Sequence, residues 1–219
     1  MGLKGCAKPS PKHWLFYSPL PSQVFKLTRS NVDDDRTRLL VRSLLDHPSL
    51  VELDLSHNLI GDKGAQAVSK LLNHSKLEIL HLCNNQIRDE GAQALAQALA
   101  KNCTLTSLNL RLNHVEDKGG EAMGCALLTN TTLKSLHLGG NRLAEPTAVL
   151  FSQVLTQNST LTCINFSCNP IGPVRETPPP CILASCMDAC FDVWTWSWES
   201  SWGPCLSRGL DQVTCRGPC

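Results

Sequence analysis

The chain has 219 residues, 42% of them hydrophobic and 18% charged, and a formal net charge of +1 at neutral pH. That length sets one domain with appended ends as the first expectation, and a balanced charge without a dense basic run argues against a nucleic-acid partner. No apolar stretch approaches the roughly 20 residues of a membrane span, the apolar run near the N-terminus is too short and too broken by Pro19 and Pro21 for a signal peptide, and Cys6 stands where a myristoylation motif wants Ser or Thr.

Residues 1–21 mix Lys, Pro and Ser with the apolar run Trp14–Tyr17 and carry no periodicity, so an irregular tail is expected there. Residues 22–49 are an imperfect first copy of a unit that recurs down the chain. Phe25 and Leu27 stand one period before Leu53 and Leu55, Ser30 takes the place of a recurring asparagine, and Leu39, Leu40, Leu44 and Leu45 are expected on the apolar face of a helix. The run Asp33, Asp34, Asp35 reads as a capped helix start rather than a metal site, because no ligand-spaced loop follows it.

From Leu50 the unit is regular. Leu50, Leu77, Leu105, Leu133 and Leu161 each open the pattern L-x-x-L/I-x-L/F-x-x-N-x-I/L/V, which reaches Asn58, Asn85, Asn113, Asn141 and Asn169. Within the second such unit, Leu80 and Leu82 alternate as on a strand, and Ala92, Leu95, Ala96 and Leu99 recur at helical spacing. One strand and one helix cannot bury both apolar faces alone, whereas stacked copies can. The expectation is therefore an α/β leucine-rich repeat solenoid over 22–172, with parallel strands inside and helices outside. Repeats of this length with a full helix are of the ribonuclease-inhibitor type. The asparagines are expected to turn inward and bond the backbone of adjacent turns. An acid four residues after each asparagine (Asp62, Asp89, Asp117, Glu145) is expected to cap a helix start and complement its dipole, and Pro146 suits a first helical position.

After Ile171 the pattern stops. Pro173 stands where the next acid belongs, and Pro178, Pro179 and Pro180 disfavour a helix. Residues 173–219 hold six cysteines and four tryptophans but no lysine. Without a C-x-x-C pair, a zinc site from Cys181, Cys186, Cys190, Cys205, Cys215 and Cys219 is poorly supported. The segment is expected to be an irregular, divergent end, and the array to stop without a recognisable cap. The cysteines at 83, 103, 125, 163 and 168 are scattered and read as single reduced thiols of a cytosolic protein. Asn73, Asn102, Asn130, Asn158 and Asn165 lie in N-x-S/T sequons. The first four recur at the helix-to-strand loop, where polar turn formers are expected in any case.

In such an array the side chains between the strand leucines line the concave face. Three rows follow: Asp54, His81, Asn109, His137 and Asn165; Glu52, Ile79, Ser107, Ser135 and Cys163; and Ser56, Cys83, Arg111, Gly139 and Ser167. Within them, Glu52, Asp54, His81, Ser107, Asn109, Arg111, Ser135, His137 and Asn165 are the candidate protein-binding residues. His81 and His137 fall two strands apart, roughly 9–10 Å, too far to share one zinc at about 2.1 Å from each nitrogen. No Gly-rich phosphate loop is present. No catalytic, cofactor-binding or metal-ligating residue is expected, and no small-molecule substrate.

Several blocks depart from the repeat consensus: Phe25–Ser30, Asp33–Asp35, Arg42–Pro48, Asn109–Asn113, Leu138–Asn141 and Glu145–Thr147. Together they make the stretch of about 24–172 resemble the family of T-complex-associated testis-expressed leucine-rich repeat proteins. The resemblance implies a non-enzymatic component of the nexin–dynein regulatory complex, in the axoneme of motile cilia and sperm flagella. That complex links doublet microtubules and regulates dynein-driven sliding. Its other subunits and axonemal proteins would then be the partners. The alternative is a regulator of a cytosolic enzyme, since ribonuclease inhibitors and activators of Ran-type GTPases share the repeat type. Arg111 is the basic residue in the three rows that such a role would use.

Overall fold

The computed structural model describes residues 23–45, 47 and 49–171, and the two expected tails, 1–21 and 173–219, lie outside them. Strand and helix alternate: β1 (Val24–Lys26), α1 (Asp34–Leu44), β2 (Glu52–Asp54), α2 (Asp62–Leu72), β3 (Ile79–His81), α3 (Asp89–Leu99), β4 (Ser107–Asn109), α4 (Asp117–Leu127), β5 (Ser135–His137), α5 (Glu145–Gln157) and β6 (Cys163–Asn165). The strands form one six-stranded parallel sheet in chain order. Its register joins equivalent positions of successive repeats: Phe25 to Leu53, Leu53 to Leu80, Leu80 to Leu108, Leu108 to Leu136 and Leu136 to Ile164. The imperfect first copy thus forms a true repeat.

The middle residue of each strand from β2 to β6 is fully buried against the helices, together with Leu55, Leu82, Leu110 and Leu138 and the turn residues Ile60, Ile87, Val115 and Leu143. Each such side chain stabilises the fold by about 1.5–3 kcal/mol relative to exposure. Helices are about 10 Å wide and strands about 4.8 Å apart, so stacking one of each per repeat curves the array with the sheet inside. Helix contacts run between successive helices, α1 to α2 through α4 to α5, as a solenoid requires. No helix among the described residues is long and apolar enough to cross a membrane.

Three polar ladders join the repeats. The first is the expected one. The Asn85 side chain accepts from the Ile60 N–H and donates to the Leu55 and Leu82 carbonyls, and Asn113 does the same with Ile87, Leu82 and Leu110. Asn58, Asn141 and Asn169 repeat the arrangement. Each side chain therefore satisfies buried backbone groups of two successive turns, where an unpaired group costs free energy.

The second ladder corrects the reading of the acids. Asp62 sits in the first turn of α2, yet its carboxylate accepts from the Arg88 and Gly91 N–H groups at the start of α3, at 2.8 and 2.9 Å. Asp34 serves Gly61 and Gly64 at the start of α2, and Asp89 serves Glu116 and Gly119 at the start of α4. Asp34, Asp62 and Asp89 each cap the next repeat's helix rather than their own; the N-cap positions of α2 to α5 make no side-chain cap. Gly91 is needed for this approach, since a Cβ there would lie 2.7 Å from Asp62 Oδ1. In α5 Thr147 stands nearby instead, and both its hydroxyl and the Ala144 N–H donate to Asp117.

The third ladder lies at the other end of the helices, and it is built from the sequon asparagines. Asn130 donates to the Leu99 and Asn102 carbonyls and accepts from the Thr132 and Leu133 N–H groups. Asn158 does so one repeat later, and Asn102 begins the series by donating to the Leu72 carbonyl. With Asn130 and Asn158 buried, these amides are structural, and glycosylating them would break the ladder. Asn73, at the start of α2's exit loop, is exposed.

The first helix also differs from expectation. Thr37, Val41 and Leu44 form its buried stripe, Leu40 and Leu45 flank it, and Leu39 is 47% exposed. A stripe at 37, 41 and 44 leaves position 39 on the far side of a 3.6-residue turn. The three acids before it do separate tasks: Asp33 caps α1 through the Arg36 N–H, Asp34 caps α2, and Asp35 pairs with Arg38.

Candidate protein-interaction face

Parallel sheets are usually covered on both faces. Here the face away from the helices carries the strand residues that alternate with the buried leucines, and in β2 to β6 these are all half-buried and, apart from Ile79 and Cys163, polar. The register aligns Glu52, Ile79, Ser107, Ser135 and Cys163 in one row, and Asp54, His81, Asn109, His137 and Asn165 in the next. Beyond the strand ends, backbone bonds from His57 to Cys83, Asn84 to Arg111, Leu112 to Gly139 and Gly140 to Ser167 hold the third row alongside. The chain then turns through a left-handed residue in successive repeats: His57, Asn84, Leu112, Gly140 and Cys168. All nine candidate residues lie on this one surface.

Many of them are already engaged. Asp54, Asn109 and Asn165 each accept from the backbone N–H two residues on (Ser56, Arg111 and Ser167), at 2.8 to 3.0 Å. Asp54 also accepts from the Thr28 hydroxyl, and Glu52 pairs with Lys26 at 3.4 Å. Burial alone would raise the Asp54 pKa; hydrogen bonds from the Ser56 N–H and hydroxyl and from Thr28, with the field of His81, outweigh it and hold the carboxyl below its ordinary value.

The middle of the face is different. His137 Nε2 meets Ser135 Oγ at 2.8 Å. Burial, then the positive charges of Arg111 and His81, push the His137 pKa down. The Ser135–His137 contact was not anticipated from sequence, though strand alternation places positions 135 and 137 on one face. It has the spacing of a nucleophile and a base. Among the described residues, however, no carboxylate hydrogen-bonds the other ring nitrogen, and the nearby charges are cationic, which weakens rather than strengthens a base. The pair is better placed for hydrogen bonding to a partner than for acyl chemistry. Arg111 is half-buried; its Nε is enclosed without a hydrogen-bond partner, and among the described residues it enters no ion pair. No group of three or more His, Cys, Asp or Glu among the described residues could hold a metal ion.

The comparisons agree with this architecture. The leucine-rich repeat model matches residues 46–69, 73–96, 101–124, 129–144 and 157–174. The array belongs to the leucine-rich repeat family. Dynein regulatory complex subunit 5 of Mus musculus is 76% identical over 45 residues, which are 20% of this chain and 9% of that protein. Its counterpart in Macaca fascicularis is 66% identical over 86 residues, 39% of this chain and 17% of the relative. The Homo sapiens protein is 70% identical over 44 residues, 20% of this chain and 9% of the relative. Over these segments the chain is a relative of dynein regulatory complex subunit 5, and the matches span less than a fifth of the relatives' own length. Among solved structures, leiomodin-1 actin-binding site 2 superposes with a TM-score of 0.56 at 25% identity, covering 70% of this chain and 87% of that one.

Proposed function

We propose that this chain is a non-enzymatic protein-interaction scaffold of the nexin–dynein regulatory complex, in the axoneme of motile cilia and sperm flagella. The identity of 66% over 86 residues to a protein named as a subunit of that complex carries the reading. The open, polar sheet face supports it, because a rigid row of half-buried side chains suits a contact surface better than a reaction centre. Its partners are other subunits of the complex and axonemal proteins, and its role is to help regulate ciliary and flagellar motility.

The test is expression of the tagged chain in motile-ciliated cells, followed by detergent extraction of isolated axonemes. Retention with doublet microtubules, and release together with other regulatory subunits, is the expected result. Recovery of the chain wholly in the detergent-soluble fraction would overturn the proposal.

A further inference from the structure

We propose that the middle of the strand-side face, where Arg111 lies between the repeats bearing His81 and His137, docks a carboxylate from an acidic segment of a partner protein. The proposal rests on the scaffold reading and gives the partner its chemistry. Strand β4 lies between β3 and β5, so the Arg111 guanidinium is flanked by the two repeats that present these histidines. The Arg111 Nε is enclosed and no group among the described residues accepts from it, so the charge is not offset from within; the side chain as a whole is only half-buried, and a docking carboxylate would meet its outer guanidinium nitrogens.

The acids of the same face do not offset that charge. Glu52 is held by Lys26, and Asp54 by Ser56 and Thr28, both on β2 and two strands from Arg111. The next position along the row is Gly139, which sets no side chain against the guanidinium. Among the described residues, the groups set around His137 are Asn109 on β4 and Asn165 on β6 by register, Ser135 on its own strand, and Arg111 and His81 through their charges. None of these is acidic. An arginine with a planar fork of donors is the side chain best matched to a carboxylate, and the flanking imidazoles add further donors; that of His137, held below its ordinary pKa here, gains charge once an anion sits beside it. Segments with negative charge therefore fit the centre of the face, and the acids on β2 set the direction in which they avoid lying.

The experiment is a nuclear magnetic resonance titration of the full chain with a synthetic glutamate-rich decapeptide at low salt, beside the same peptide with glutamine in place of glutamate. The glutamate peptide is expected to shift the Arg111 Nε–H and the His81 and His137 ring signals, and to raise the His137 titration midpoint. Arg111→Ala should weaken its affinity about tenfold or more, Arg111→Lys less, and Asp54→Asn should strengthen it. Equal shifts from the glutamine peptide, or wild-type affinity in a folded Arg111→Ala variant, would overturn the proposal. If Arg111→Ala disturbs folding, Arg111→Lys and His137→Gln decide in its place: unchanged affinity in both refutes it. Axonemal retention separates the two readings. Retention that survives Arg111→Ala, with no response to the peptide, removes this inference and leaves the scaffold. A clear peptide response in a chain never retained on axonemes removes the axonemal assignment and leaves the docking point.

Discussion

At the scale of single residues, the buried asparagines carry more weight than their size suggests. Asn113 is 3% exposed, and its one amide satisfies the Ile87 N–H and the Leu82 and Leu110 carbonyls. Asn113→Ala should destabilise by about 1–3 kcal/mol or more, because three buried backbone groups lose a partner at once. Denaturant unfolding followed by circular dichroism measures this, and a change below about 0.5 kcal/mol would contradict the ladder. His137 gives a pH prediction. Its folded pKa lies below its ordinary value of 6.5, so the unfolded chain takes up the proton first. The stability tied to neutral His137 is therefore present above 6.5 and is lost as the pH falls towards the folded midpoint. Arg111→Ala removes a neighbouring positive charge and should raise that midpoint, as read from the imidazole resonance; a midpoint that stays put would mean that burial and His81 depress it without Arg111.

At the scale of the element, the helices are not self-contained units. Each of α2, α3 and α4 has its first turn capped by a carboxylate from the repeat before it. Asp62→Ala should therefore cost about 0.5–2 kcal/mol, and the loss should be localised in an unusual place. Amide exchange should speed at Arg88 and Gly91, 26 and 29 residues away from the substitution, more than in α2, where Asp62 resides. Faster exchange confined to α2 would show that the aspartate acts on its own helix. Gly91 belongs to the same device. Alanine favours a helix interior by about 1 kcal/mol over glycine, but at 91 its Cβ would meet Asp62 Oδ1 at 2.7 Å, Ile87 Cγ2 at 2.9 Å and Ala65 Cβ at 3.0 Å. The clash is expected to win.

At the scale of the whole molecule, the repeats are joined at both ends of their helices. The asparagines that follow the strands stitch one edge, and Asn102, Asn130 and Asn158 stitch the other. Asn113 and Asn130 lie beyond opposite ends of α4, whose 11 residues span about 16 Å. Substitutions that far apart should add, so Asn113→Ala with Asn130→Ala should destabilise by the sum of the single changes within about 0.5 kcal/mol, provided that the array unfolds as one unit. Equilibrium unfolding of the four proteins measures this. A double variant that unfolds in two steps would show instead that loosening both edges of a repeat uncouples the array on either side.

Much of the architecture was legible in the chain itself, because the period of the leucines and of the asparagines at 58, 85, 113, 141 and 169 admits one economical solution: strands in register, an apolar helix face against them, and an amide turned into each bend. The same period placed all nine candidate residues on one sheet face, since strand alternation and equal spacing are local properties. What no local pattern carries is which repeat a side chain serves. Asp62 looks like the cap of the helix it begins, and only stacking reveals that it reaches the next one. Asn130 looks like a sequon or a turn former until the neighbouring repeat supplies the carbonyls that bury it. Leu39 looks like a core residue until Thr37 and Val41 take the inward face. At the candidate site, sequence supplied the row containing Arg111, but not its enclosed, partnerless Nε or its charge coupling to His137. Those depend on how adjacent strands share space and solvent, and burial and electrostatic fields arise only once the repeats are packed together.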